Sequence, residues 1–263
     1  MRTLPIIHTL GGCGGTLLAK CLGSLDGVVL LSECNPSSAE LFSRRLNPFV
    51  QMRNWYPALF ARVEAGFDES QMQHDDRFQA FLLAVYDAVE AEGGHLIVRD
   101  YNYIDYFGVP FTQKPALELT LVRALRDRFE FRAVVLVRHP LDQYGSLRSH
   151  RILKDVLSPD IFLDGYEQFL SDVGAAKFVT YEHLLASPAG TLRDLCDLFG
   201  LRYDERVPAR FHHYRSVTGN LSRDAEAAIS PSRRTPVMDF WMRELQERPA
   251  YRNLLVRLGY GDR

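Results

Sequence analysis

The stretch Phe131-Arg-Ala-Val-Val-Leu-Val-Arg138-His-Pro-Leu-Asp142-Gln-Tyr-Gly-Ser146 decides how the chain is read. Ala133 to Val137 is a continuous apolar run, the pattern of a strand covered on both faces, as in a parallel sheet. The run stops at Arg138, and Pro140 stands where a helix begins, because proline lacks an N–H that the first turn would leave unbonded. Strand, turn and helix are therefore predicted, with a guanidinium at the strand's carboxyl end, the edge where open α/β sheets bind ligands. Asp142 and Ser146 share one helix face at i, i+4 spacing. A permanently charged arginine with a hydroxyl nearby suits a phosphate monoester. The alternative is that Arg138 pairs with Asp142 and merely closes the sheet.

Working outward, Leu4 to Leu10 reads as a first strand that runs into Gly11-Gly12-Cys13-Gly14-Gly15-Thr16 and then an apolar helix carrying Leu17, Leu18, Cys21, Leu22 and Leu25. A glycine-rich loop between a strand and a helix presents backbone N–H groups and a helix N-terminus to an anion, and Thr16 adds a hydroxyl. The match to GxxxxGK[ST] is incomplete: Gly15 stands where the lysine of a nucleoside triphosphate site would be. Val28 to Leu31 is a second strand, which puts Glu33 at the same sheet edge. Its plainer alternative is an N-terminal acid for a helix starting near Ser37. His95 to Asp100 is a third strand ending in Arg99 and Asp100. Tyr101, Tyr103, Tyr106 and Phe107 then form an aromatic loop, either packed on the body or walling an acceptor pocket.

Further elements follow from spacing. Residues 47–75 predict irregular or short helical structure, Phe78 to Val89 a helix stopped by Gly93-Gly94, Ala116 to Arg128 another, and Pro159 to Asp172 another. Ala175 to Tyr181 is a fifth strand, and Ser187-Pro188 opens a helix closed by Gly200. The tail is polar loop, Ser216 to Asn220 and Ser230 to Pro236, before a helix from Asp239 to Glu247 and a Leu254 to Leu258 segment. Strands alternating with helices predict an α/β fold with a parallel, doubly wound sheet flanked by helices, in one domain over residues 1–263.

Composition sets limits. A net charge of −2 over 263 residues gives no basic field, so nucleic acid is not an expected partner and any anion site must be local. The four cysteines (Cys13, Cys21, Cys34, Cys196) lack metal-ligand spacing; a reducing, cytoplasmic location fits, and no metal is expected. No run is long enough to span a bilayer. Oligomeric state is not readable from the sequence.

Together these motifs resemble the sulfotransferases: Cys13-Gly14-Gly15-Thr16 after strand one, Arg138-x-Pro-x-Asp142-x-x-x-Ser146 after the central strand, and Tyr181-Glu182-x-Leu184 after the next. The resemblance runs from Ile6 to about Pro236, strongest at those motifs. It implies a P-loop NTPase-like sulfotransferase fold, with 3′-phosphoadenosine 5′-phosphosulfate as sulfuryl donor to a hydroxyl of a small metabolite, lipid or sugar. It also implies that Gly11, Gly12, Cys13, Gly14, Gly15 and Thr16 cradle the 5′-phosphosulfate, that Arg138 and Ser146 hold the 3′-phosphate, that Tyr181 belongs to the nucleotide site, and that the Arg233-Arg234 loop folds over the nucleotide. The family usually carries Lys or Arg two residues before the loop glycine, where this chain has Gly12; Lys20, Arg99 and Arg234 are the candidate replacements. Glu33 is the first candidate for general base and Asp100 the second. An active transferase and a degenerate nucleotide-binding or interaction protein that has lost turnover are the two functional expectations.

Overall fold

A computed structural model describes residues 2–41, 44–174, 176–219 and 236–261. Its centre is one five-stranded sheet of β1 (Arg2–Thr9), β2 (Val28–Cys34), β3 (His95–Asp100), β4 (Phe129–Val137) and β5 (Lys177–Thr180), all parallel, in the order β2-β3-β1-β4-β5. The helices, in chain order, are α1 (Gly15–Gly23), α2 (Pro36–Leu41), α3 (Pro48–Trp55), α4 (Pro57–Val63), α5 (Asp75–Ala91), α6 (Asn102–Tyr106), α7 (Thr120–Leu125), α8 (Pro140–Arg148), α9 (Pro159–Asp172), α10 (Tyr181–Ala186), α11 (Pro188–Phe199), α12 (Val207–Arg210), α13 (Pro236–Gln246) and α14 (Pro249–Arg257). None of the described helices is long and apolar enough to cross a membrane.

Alternation along the strands divides the core into two faces. Ile7, Leu30, Ile97, Val134 and Leu136 pack against α1 and α11, whereas Leu4, Ile6, Val98 and Val135 pack on the opposite side against α5 and α9. The strand order switches sides at β1: β2 and β3 lie on one side and β4 and β5 on the other. The crevice beyond β1 is thus flanked by the carboxyl ends of β3 and β4, which bear Arg99 and Arg138.

Local deviations from the expected pattern have physical causes. The helix expected over 116–128 is shortened to α7 because Leu117 sits at φ +53° and donates its N–H to the Asp105 carbonyl at 2.9 Å, pinning the chain to α6. Residues 47–75 resolve into short helices, two of which open on prolines, Pro48 and Pro57. The aromatic loop is largely core: Tyr103, Tyr106 and Phe107 are buried in the cluster that holds Phe162 and Phe169, so for these three the alternative of packing on the body holds. Strand five ends one residue early, and Tyr181 begins α10 with the Thr180 hydroxyl accepting from the His183 N–H.

Candidate functional site

The loop after β1 turns through Gly11 (φ +77°), Gly12 (φ +67°) and Gly14 (φ +94°) before α1 begins at Gly15. These left-handed conformations explain the glycines, and packing reinforces them: a Cβ on Gly14 would lie 2.3 Å from Cδ2 of Tyr181. The loop carbonyls are occupied from outside. Gln143 Nε2 donates to Gly11 O at 2.8 Å, and Arg138 Nη1 donates to Gly12 O at 3.1 Å. Tyr166 in turn donates its hydroxyl to Gln143 Oε1 at 3.1 Å.

Arg138 is buried at the end of β4, with its guanidinium 4.9 Å from the centroid of the Tyr181 ring. The structure therefore brings Arg138, Tyr181 and the glycine loop together. Ser146 is half-buried on α8, one turn beyond Asp142. Glu182 has a supporting place: its carboxylate accepts from the His139 N–H at 3.0 Å and from the Tyr260 hydroxyl at 2.6 Å, tying α10 to the start of α8. Arg233 and Arg234 lie outside the described residues.

On the other flank, Arg99 is 1% exposed and meets both the loop and Glu33. Its Nη1 donates to Thr16 Oγ1 at 3.3 Å, and its Nη2 lies 2.5 Å from Glu33 Oε1. Arg99 Nε is buried without a hydrogen-bond partner among the described residues. The buried Cys13 thiol of the loop is pushed up by burial, opposed first by the Gly15 backbone hydrogen bond and then by the Arg99 and Arg138 charges. Of the three cations considered as replacements at Gly12, Arg99 reaches the loop hydroxyl, Lys20 is buried on α1, and Arg234 lies outside the described residues.

Glu33 stands in a β-bulge where the β2–β3 register shifts between Ser32 and Cys34, at φ +56°. It does not cap the next helix. Asn35 does, its side-chain oxygen accepting from the Ser37 N–H at 2.9 Å. Glu33 remains 16% exposed and close to Tyr101, whose hydroxyl is held well above its ordinary pKa by burial first and the Glu33 charge next, so it stays protonated.

Asp100 points to the opposite face. It is fully buried, 3.1 Å from His8 Nδ1, and accepts from Asn102 Nδ2 at 2.7 Å. Asn35 links this cluster to Asp105, donating at 2.9 Å to a carboxyl that burial and the Asp100 charge push well above its ordinary pKa. Successive strand residues face opposite ways, so Arg99 and Asp100 cannot serve the same crevice face. The tail supplies a group that spacing did not single out. Thr218 accepts at its carbonyl from Thr16 Oγ1 at 3.2 Å and Arg99 Nη2 at 3.4 Å, and Gly219 (φ +104°) would place a Cβ 2.2 Å from Thr16 Oγ1. The one sequence signal was the glycine within that polar loop. Gln143 was visible only as a polar residue inside the Arg138–Ser146 motif.

No family model matches the chain, and no curated protein matches it by sequence. Solved structures do match in fold. A sulfotransferase domain from the curacin biosynthetic pathway aligns over 99% of this chain and 98% of its own, at 14% identity and a TM-score of 0.61. A sulfotransferase domain from the Synechococcus PCC 7002 olefin synthase aligns over 98% and 95%, at 18% identity and a TM-score of 0.59. The chain has the sulfotransferase fold.

Proposed function

We propose that the protein is a sulfotransferase that moves a sulfuryl group from 3′-phosphoadenosine 5′-phosphosulfate to a hydroxyl of a small metabolite, lipid or sugar. One observation carries this: Arg99 joins the glycine-loop hydroxyl of Thr16 to the carboxylate of Glu33, so that a loop hydroxyl, a cation and a candidate base meet at one point of the sheet edge. The donor residues fit such a nucleotide. The glycines add no side chains of their own to the loop, and the orphaned Arg99 Nε offers a buried donor that an anionic oxygen would satisfy.

The donor supplies an activated sulfuryl group with adenosine 3′,5′-bisphosphate as leaving group. The protein's part is positioning and charge stabilisation, with no metal required. Gly11 to Thr16 and the N-terminus of α1 hold the 5′ end, and Arg138 with Ser146 holds the 3′-phosphate, Tyr181 keeping the guanidinium against the loop. Arg99 takes the place of the cation missing at Gly12 and neutralises charge on the transferring group. Glu33 accepts the proton of the acceptor hydroxyl as that oxygen bonds to sulfur and the sulfur–phosphate oxygen bond breaks. The Arg99 pair holds this carboxylate toward the loop.

The test is transfer of radiolabelled sulfuryl from the donor to an acceptor panel containing a phenol, a long-chain 3-hydroxy acid and a hexose. Transfer to a panel member is expected, and Arg99→Met should lower its kcat at least about 100-fold, the scale of removing one oxyanion-stabilising donor. Failure to bind adenosine 3′,5′-bisphosphate, or full turnover in Arg99→Met, would overturn the proposal.

A further inference from the structure

We infer that Gln51 is a positioning residue for Glu33, acting through the main chain of the bulge; this rests on the reading of Glu33 as base. β2 is the outer strand of the sheet, so the N–H and C=O groups of alternate residues, Leu30 and Ser32, face away from β3. Open edges of this kind are normally left to solvent or covered. Here two side chains take the place of a sixth strand. The Tyr56 hydroxyl accepts from Leu30 N at 3.0 Å and donates to Leu30 O at 3.2 Å. The Gln51 amide, 1% exposed, does the same one pleat further on: Oε1 accepts from Ser32 N at 2.7 Å and Nε2 donates to Ser32 O at 2.6 Å.

A primary amide is a peptide mimic with a donor and an acceptor side by side, so this two-point bond fixes the plane and register of Ser32 as a neighbouring strand would. The position matters because Ser32 is the last residue before the register shift, and the next is Glu33 at φ +56°, a conformation a non-glycine residue keeps only when its surroundings impose it. Gln51 is also anchored, its Nε2 donating to Arg45 O at 2.9 Å. From the other side Thr218 closes on Ser32, its Oγ1 2.9 Å from Ser32 Oγ. Held between Gln51 and Thr218, Ser32 fixes the direction in which Glu33 leaves the strand, toward Arg99. Gln51 itself touches neither the glycine loop nor Arg99 through any bond in the described residues; its influence passes through the backbone.

The experiment uses the full chain and the panel acceptor with the fastest transfer, comparing Gln51→Met, Glu33→Gln and the double variant. Gln51→Met, which keeps volume and removes both bonds, is expected to lower kcat about 10- to 100-fold while KM for the donor and affinity for adenosine 3′,5′-bisphosphate stay within about twofold. The Ser32 amide should exchange with solvent faster. In the Glu33→Gln background Gln51→Met should cost no further turnover, because residues acting as one unit are not additive. Gln51→Asn, a methylene too short to hold both bonds, gives a milder form of the same result if the methionine variant folds poorly. Unchanged kcat in both Gln51 variants, or an equal loss with and without Glu33, overturns the positioning role while leaving the base intact. Full turnover in Glu33→Gln alone removes the base, and the inference with it.

Discussion

The two flanks of the site are held by different kinds of bond. On the β4 side, the loop after β1 is gripped mainly from one strand-turn-helix unit: Arg138 and Gln143, near each other but more than 120 residues from the loop, bond to Gly12 and Gly11, and Tyr181 packs on Gly14 from the start of α10. On the β2 side, Glu33 owes its place to groups from three separate segments: Arg99 from β3, Gln51 from α3 and Thr218 from the tail. A short motif can encode an anion cradle, because glycine torsions and a helix start build it locally. A carboxylate aimed across a crevice needs a bulge, and this bulge is held by three segments that meet only in the folded chain.

The largest effect separates the flanks by function. Glu33→Gln keeps the shape of the β2 side and removes its basicity, so turnover should fall 10²- to 10⁴-fold, about 3–5 kcal/mol of barrier, with adenosine 3′,5′-bisphosphate affinity unchanged by calorimetry. Asp100→Asn is the control: its carboxylate faces His8 and Asn102, so the folded variant should keep kcat within a few-fold and lose stability instead. The opposite pattern, turnover lost in Asp100→Asn and kept in Glu33→Gln, would exchange the two roles.

Gly14→Ala breaks the β4 side by sterics alone. A methyl group 2.3 Å from the Tyr181 ring on a φ of +94° should cost about 2–4 kcal/mol, a fall in Tm of roughly 5–15 °C. An unchanged melting curve would mean that Tyr181 leaves the loop without penalty. Arg138→Ala sharpens the chemistry of the same flank. Affinity for adenosine 3′,5′-bisphosphate should weaken by about ten- to over a hundredfold, roughly 1.5–3 kcal/mol, while the weaker binding of AMP hardly changes. Equal losses for both nucleotides would remove the 3′-phosphate from this arginine.

The smallest effect tests the outer edge. Tyr56→Phe strips a hydroxyl that bonds Leu30 and, at 2.7 Å, the Tyr214 hydroxyl. A loss of about 1–2 kcal/mol in stability is expected by denaturant titration, with donor binding retained. If binding of the nucleotide collapses as well, the two flanks are coupled more tightly than their separate bonding implies.

The sequence by itself determined the parallel sheet, because the Ala133–Val137 run and its counterparts are apolar on both faces and alternate with helical spacing. It also determined the glycine cradle and the Arg138 unit, since each is a local pattern whose backbone geometry follows from its own residues; the sulfotransferase fold was legible from those motifs. The tertiary structure alone decided three further things. It brought Arg99 to Thr16 and Asp100 to His8, because the two are adjacent in sequence and pleating sends them to opposite faces. It decided that Tyr103, Tyr106 and Phe107 are core, because periodicity cannot tell an aromatic that lines a pocket from one that fills the space beside Phe162. And it decided where Glu33 points, because a register shift and a left-handed torsion are imposed by Gln51, Thr218 and Arg99 from long range, and no pattern within Ser32 to Asn35 carries that information.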